Sequence, residues 1–170
     1  MKHTVQETPP REDIRRPKIS GGFRMGSPTG VVDFYVRSAS GDIVGLTLKT
    51  ADLIGQLRAG LPVGEVDELR RSLDLPMERL SSMLGMSKAT WHRRQQTGRL
   101  DPAESDRVVR YARLMGKAIE VMETEESARQ WLRAPQVGLG GGVPLEYAET
   151  EVGCREVEDL LGRIEYGVYS

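Results

Sequence analysis

The amino-acid sequence predicts a mainly α-helical protein, with a helix–turn–helix domain followed by a small helical domain at the carboxyl terminus. Three observations support this prediction. Residues 75–96 have the apolar spacing of a helix–turn–helix, residues 101–122 form the longest amphipathic pattern, and residues 150–166 form a further amphipathic helix. The predicted boundaries are 1–49 for an amino-terminal extension, 50–123 for the helix–turn–helix domain and 124–170 for the carboxy-terminal domain.

The amino-terminal extension has two parts. Residues 1–30 are rich in proline and glycine, carry few apolar side chains and are predicted to be disordered. Their six bases against three acids leave two interpretations open, a solvated tail or a basic arm that supplements nucleic-acid binding. Residues 31–48 contain two β-leaning patches separated by turn residues 38–42, which predicts a short β-hairpin.

Two helices are predicted after residue 49. Thr50 is a good N-cap for the first helix, Gly60 ends it, and Pro62 opens the second. The predicted apolar faces are Leu53, Ile54 and Leu57 in the first helix, and Val66, Leu69 and Leu73 in the second.

The helix–turn–helix pattern places its turn glycine at Gly85, and Ser87 then caps the second helix. Arg94 falls at a position where an apolar residue is usual, which is a departure from the pattern. The positions predicted to be buried are Leu80, Ser81, Leu84, Met86 and Trp91.

The second helix of this motif carries positive charge and no carboxylate between residues 87 and 99. A helix of this size fits the major groove, where Arg and Gln can read base edges while Lys and hydroxyl groups hold phosphates. The alternative is a charged helix that is merely solvated. The predicted DNA-binding residues are Ser87, Lys88, Thr90, His92, Arg93, Arg94, Gln96 and Arg99.

The long helix begins with a capping box, in which Asp101 and Glu104 flank Pro102. Thr124 caps a shorter helix that Pro135 ends. The glycine cluster at 138–142 follows no strand and lacks a Lys–Ser/Thr ending, so a flexible hinge is favoured over a phosphate loop. The apolar stripe of the long helix is Val108, Tyr111, Ala112, Met115, Ala118, Ile119 and Met122; the inner face of the shorter helix is Ala128, Trp131 and Leu132.

The carboxy-terminal segment is acidic, whereas the net charge of the chain is only −1. Its last helix has Val157, Leu160, Leu161 and Ile164 as an apolar stripe. Charges of opposite sign in two regions indicate two different partners. Tyr166 and Tyr169 near the chain end are either interface anchors or part of a frayed terminus.

No arrangement of residues points to catalysis. The single cysteine, Cys154, lies at the edge of an apolar stripe and fits a core or interface residue, and the two histidines have no spaced metal partner. We therefore expect a non-enzymatic protein without metal or cofactor. No apolar run could cross a bilayer and no secretory signal is visible, so the expected location is the cytoplasm.

From Thr50 to Ser170 the chain resembles antitoxins of the Xre/MbcA/ParS type, the partners of RES-domain toxins. The stretches that carry this resemblance are Arg58–Val63, Thr90–Arg94, Gly98–Leu100, Glu104–Arg107, Ala128–Leu132, Pro144–Glu146, Thr150–Val157 and Leu161–Ser170. Residues 1–49 carry no resemblance. Trp91 stands where the family more often has a smaller aliphatic residue.

The resemblance implies an all-helical homodimer that binds the promoter of its own operon as an autorepressor and inhibits an NAD-consuming, ADP-ribosylating toxin. The terminal segment of such an antitoxin lies over the NAD pocket of the toxin. A pocket that holds a pyrophosphate must be basic, so an acidic helix with a free carboxylate and aromatic rings suits it as a competitor. The implied toxin-binding residues are Glu151, Arg155, Glu158, Arg163, Glu165, Tyr166, Gly167, Val168, Tyr169 and Ser170.

A second class of function stays open at this point. The chain could be a stand-alone helix–turn–helix transcriptional regulator whose carboxy-terminal helices dimerise or sense a ligand. A neighbouring reading frame that encodes a RES-type protein, or co-purification with one, would separate the two.

Overall fold

A computed structural model describes the backbone of residues 23–25, 31–37 and 43–167, and the side chains of residues 51–167. Within these residues the chain forms three short strands and eight helices. The strands are β1 (Phe23–Met25), β2 (Val31–Arg37) and β3 (Ile43–Lys49). The helices are α1 (Thr50–Ala59), α2 (Gly64–Leu73), α3 (Met77–Met83), α4 (Lys88–Thr97), α5 (Pro102–Met122), α6 (Glu125–Arg133), α7 (Pro144–Tyr147) and α8 (Glu151–Glu165), with a 3-10 turn at Val137–Leu139.

The three strands form an antiparallel sheet in the order β1-β2-β3. Phe34 of β2 pairs with Leu46 of β3 and with Phe23 of β1, so the predicted hairpin is present and has a third strand. The disorder of residues 1–30 stays a prediction, although residues 23–25 form a strand. A three-residue strand depends on hydrogen bonds to a distant segment, which composition does not reveal. The rest of residues 1–30 lies outside the described residues.

The core is built on α5, whose buried face contacts α1, α2, α6 and α8. Tyr111 and Leu114 at its centre are fully buried, and the Tyr111 hydroxyl lies 3.5 Å from the carbonyl oxygen of Leu145. The capping box starts α5 as predicted: Asp101 accepts from the Glu104 amide, and Glu104 accepts from the Asp101 amide. Apolar residues spaced for a helix thus produce the central element.

Most residues of the predicted apolar faces are buried, but Ile54 is exposed and six others are only partly buried: Leu57, Trp91, Ile119, Met122, Trp131 and Ile164. The Ile54 side chain is 43 % exposed, because it projects from the side of α1 that faces away from the core. Trp91 and Trp131 are half-buried and pack against the edge of the core. An indole ring is too large for the narrow space between short helices, and one edge therefore stays in contact with solvent.

The glycine cluster at 138–142 is a closed loop instead of the predicted flexible hinge. The Gln136 amide donates to the carbonyl oxygen of Gly142 at 3.0 Å, and the Gly141 amide donates to that of Gln136 at 2.9 Å. The Tyr147 hydroxyl donates to the carbonyl oxygen of the buried Leu139 at 2.9 Å. Glycine permits the tight backbone path here, and the hydrogen bonds hold that path.

Two arginines of α6 connect this helix to α2 through hydrogen bonds. Arg129 donates to the carbonyl oxygen of Ser72 at 2.7 Å, and Arg133 donates to that of Leu73. These carbonyl groups lie in the last turn of α2, where no amide within the helix can reach them. No helix among the described residues is both long and apolar enough to span a membrane.

Gly60 lies at a close approach of two chain segments. Leu61 and Leu100 pair through an amide–carbonyl hydrogen bond of 2.9 Å, and Gly60 has a φ of 80°. A Cβ atom on Gly60 would lie 2.1 Å from the carbonyl oxygen of Leu100, whereas one on Gly98, with a φ of 74°, would meet nothing within 4 Å.

These two glycines provide a matched pair of substitutions. We expect Gly98→Ala to lower the free energy of unfolding by about 1–2 kcal/mol, the cost of a left-handed alanine. Gly60→Ala should cost about 1–3 kcal/mol more, because the added methyl group must displace the backbone of Leu100. Chemical denaturation of both variants measures the difference, and equal losses would contradict the close approach.

Candidate functional site

Helices α3 and α4 form the predicted helix–turn–helix. Leu80, Ser81, Leu84 and Met86 are buried where the two helices meet, as the pattern predicts. Gly85 makes the turn with a φ of 72°. The Arg107 guanidinium also supports this turn, because it donates to the carbonyl oxygen of Leu84 at 3.1 Å. The sequence analysis missed this contact, since the two residues lie far apart along the chain.

The amino terminus of α4 is exposed and capped. The Ser87 hydroxyl accepts a hydrogen bond from the Thr90 amide at 3.1 Å and lies 3.0 Å from the Thr90 hydroxyl. Lys88 follows with an exposed side chain. An exposed helix amino terminus that bears a lysine favours an anion, because amide dipoles and the ammonium group both carry positive charge there.

The outward face of α4 carries polar groups suited to nucleic acid. His92 and Gln96 are exposed and lie 3.2 Å apart between Nε2 atoms, and Arg93 is also exposed. Gln95 is exposed too and was missed, although its spacing of seven residues from Lys88 places both on one side of the helix. Together these side chains offer hydrogen-bond donors and positive charge on one surface.

Arg94 lies on the inner side of α4, away from this surface. Its Nε atom is 2.7 Å from Oε2 of Glu104, and its Nη2 atom is 2.7 Å from Oδ2 of Asp101. The hydrogen bond with Glu104 and the two negative charges raise the pKa of Arg94, so its charge is retained. The structure therefore places Arg94 as a link between α4 and α5, and the two carboxylates explain a charged residue where an apolar one is usual.

Arg99 is also engaged within the protein. Its Nη1 atom donates to the carbonyl oxygen of Gly60 at 2.7 Å, and the Thr97 hydroxyl caps the end of α4. Of the predicted DNA-binding residues, the structure thus leaves six on or next to the exposed side of α4 and uses two as internal links. The six are Ser87, Lys88, Thr90, His92, Arg93 and Gln96.

The last helix, α8, begins at the N-cap Thr150, whose hydroxyl accepts from the Gly153 amide at 3.0 Å. One flank of α8 faces the arginines of α5. Glu151 lies 3.2 Å from Nε of Arg110, and Glu158 lies 2.5 Å from Nε of Arg113. The structure pairs these two acids with α5, and their predicted contact with a partner stays a prediction.

Arg155 is exposed and lies 3.3 Å from Glu151 on the same flank. At the other end of α8, Arg163, Glu165 and Tyr166 are exposed, and the Tyr166 side chain is 78 % exposed. The tyrosine ring is therefore accessible, as an interface anchor requires.

Gly167 has a φ of 66°, the last backbone conformation that the structure describes. Val168, Tyr169 and Ser170, which belong to the same predicted set, lie outside the described residues.

Cys154 is fully buried on the inner face of α8. Burial, with Glu158 nearby, raises the pKa of its thiol to about 11, although Arg113 acts in the opposite direction. A thiol in this state is a poor nucleophile, which agrees with the core role predicted for it. Among the described side chains, no group of three or more His, Cys, Asp or Glu residues is arranged to hold a metal ion.

The chemistry of Cys154 can be tested directly, since it is the single cysteine of the chain. At pH 8 a pKa of about 11 leaves on the order of a thousand thiols for each thiolate. Ellman's reagent should therefore label the folded protein far more slowly than the protein unfolded in guanidinium chloride. Cys154→Ala provides the blank, and rapid labelling of the folded protein would show that the thiol is accessible.

Comparison with protein families assigns most of the helical part of the chain. Residues 52–113 match the family described as the antitoxin Xre-like helix-turn-helix domain. Residues 117–167 match the family described as the antitoxin Xre/MbcA/ParS C-terminal toxin-binding domain. The first match contains α3 and α4, and the second contains all of α8.

The chain is similar to three curated proteins. Antitoxin Xre of Yersinia enterocolitica serotype O:8 is 33 % identical over 120 residues, which cover 69 % of this chain and 81 % of that protein. Antitoxin Xre of Photorhabdus laumondii is 32 % identical over 67 % of this chain and 78 % of that protein. The Prs ADP-ribosylating antitoxin of a Sphingobium strain is 24 % identical over 70 % of this chain and 81 % of its own length. The identity and extent of these matches show that the chain belongs to the Xre/MbcA/ParS family of antitoxins.

Proposed function

We propose that this antitoxin inhibits a RES-domain toxin that consumes NAD, by placing the segment after α8 over the NAD pocket of the toxin. The observation that carries the proposal is the exposed Tyr166 at the end of an acidic helix, inside the match to a toxin-binding domain. The name of the Sphingobium relative refers to ADP-ribosylation, a reaction that consumes NAD, and this supports the same class of toxin here.

The proposed inhibition is steric and electrostatic. A pocket that binds the NAD pyrophosphate needs positive charge, and the end of α8 offers Glu165 together with the Tyr166 ring. The carboxylate competes for the basic groups, and the ring occupies volume that the dinucleotide would otherwise fill. Residues 167–170 extend this segment, so their removal should open the pocket.

The second part of the proposal concerns DNA. The antitoxin binds the promoter of its own operon through α4, with Lys88 and the amino terminus of α4 on phosphates and Arg93 and Gln96 toward base edges. It acts as a homodimer, because two-fold operators mirror two-fold proteins. Residues 50–123 serve DNA binding and dimerisation, and residues 124–170 serve toxin binding.

The inhibition is tested by deleting residues 167–170 and measuring the NAD consumed by the co-purified toxin. The truncated antitoxin should still form the complex but should release NAD consumption, because the pocket is no longer covered. Tyr166→Ala should release part of it, whereas Ile54→Ala, which removes another exposed apolar side chain outside the toxin-binding domain, should not. Full inhibition by the truncated protein would contradict the occlusion mechanism.

The DNA assignment is tested by titrating operator DNA at several salt concentrations. Lys88→Ala should weaken binding and lower the slope of log affinity against log salt by about 1, since it removes one phosphate contact. Arg93→Ala should weaken binding to the operator by about 1–3 kcal/mol and relax the sequence preference, since it removes a contact with a base edge. Arg155→Ala removes an exposed arginine of α8 and should leave the slope unchanged. Titrations of the Lys88 and Arg93 variants that overlay the parent's would show that α4 does not contact the operator.

A further inference from the structure

The exposed side of α8 has a residue pattern of which the predicted toxin-binding set contained only Arg163 and Tyr166. Five residues recur at spacings of four, three, four and three, and at 3.6 residues per turn they fall within an arc of about 80°. They are Val152, Glu156, Asp159, Arg163 and Tyr166, all exposed, and we refer to them as the α8 stripe.

The two ends of the α8 stripe are apolar and open to solvent. Val152 is 76 % exposed and Tyr166 is 78 % exposed. At 1.5 Å per residue they stand about 21 Å apart along the helix. Exposed apolar residues at both ends of one helix face lose water contact when a partner covers them, which favours binding.

The charged residues between these ends are free to meet a partner. Among the side chains of residues 51–167, no hydrogen bond or ion pair engages Glu156, Asp159 or Arg163. The neighbouring flank differs, because Glu151 and Glu158 are already bound by arginines of α5. Among the described side chains, the charged groups of the stripe are therefore unpaired, whereas the acids of the flank are paired with α5.

The side of α8 opposite the stripe packs closely against the rest of the protein, so the stripe is a preformed surface. The inner residues of α8, Val157 and Leu161, are fully buried. A Cβ atom on Gly153 would lie 1.9 Å from the carbonyl oxygen of Tyr147, which shows how closely α8 approaches α7. A preformed surface loses little conformational entropy on binding.

The loop before α7 packs against α8. A Cβ atom on Gly138 would lie 2.5 Å from Cδ1 of Leu160, so this loop is in contact with α8 next to the stripe. The adjoining Val137 is 96 % exposed. A second element with an exposed apolar residue thus lies in contact with α8.

We infer that the toxin docks on the α8 stripe, with a basic strip between two apolar depressions on its own surface. This inference rests on the proposed function, and it separates two tasks. The stripe residues before Tyr166 supply attachment, whereas Tyr166 and the segment after it supply inhibition. Charge complementarity supports it, since Glu156 and Asp159 lie at the middle of the stripe, and the toxin-binding match contains every stripe residue.

A second copy of the chain is the other possible occupant. Antiparallel pairing of two stripes would place Glu156 opposite Arg163, which is favourable. It would also place the two copies of Asp159 opposite each other on the two-fold axis, which is unfavourable. Because these like charges repel at the centre of such a dimer, the toxin is the favoured occupant of the stripe.

The test measures the affinity of the full chain for a RES-domain protein that co-purifies with it. The stripe variant combines Val152→Ser, Glu156→Lys and Asp159→Lys, which leaves residues 160–170 intact. The control combines Ile54→Ser, Asp52→Lys and Glu78→Lys, the same changes of charge and apolar area at exposed positions outside the toxin-binding match. Thermal unfolding verifies that both variants are folded.

We expect the stripe variant to bind at least tenfold more weakly and the control to bind as the parent does. At saturating concentration the stripe variant should still inhibit NAD consumption, because its terminal segment is intact. Unchanged affinity would overturn the stripe while leaving the proposed function in place, and a parent with which no RES-domain protein co-purifies would overturn the proposed function itself. A smaller solution mass of the stripe variant with unchanged toxin affinity would assign the stripe to a second copy.

Discussion

Burial of one face of α5 is the constraint on which the other helices depend. Tyr111, Leu114 and Met115 have no exposed surface, and α1, α2, α6 and α8 contact this helix. The elements that present the DNA-binding surface and those that present α8 thus share one core. Apolar burial is non-directional, so it brings these helices together but does not orient them.

Orientation comes from arginines that cross between elements. Arg94 joins α4 to the start of α5, Arg113 joins α5 to α8, and Arg129 joins α6 to the end of α2. Burial opposes the charge of Arg113, but Glu158 raises the pKa of Arg113 overall, so the cation is retained. A planar guanidinium with several fixed donors suits this purpose, because its hydrogen bonds hold only in one relative placement of two elements.

The same distinction separates structural charge from charge that is available to partners. Glu151 and Glu158 differ from Glu156 and Asp159 only in the side of α8 from which they project, and α5 engages the first pair alone. On α4 the adjacent residues Arg93 and Arg94 likewise point to solvent and to α5. Charge composition therefore indicates a charged region, and the side of the helix determines which of its residues are exposed.

The sequence alone determined the local features of this protein. Apolar spacing predicted the helices, the capping box predicted the start of α5, and Gly85 and Ser87 predicted the turn into α4, because each feature depends on residues a few positions apart. Only the tertiary structure decided which charged side chains are free, that the loop at 138–142 is closed, and that Gly60 must be glycine. Each of these depends on atoms brought together across long sequence separations, such as Gly60 with Leu100 and Arg113 with Glu158, which spacing along the chain does not encode.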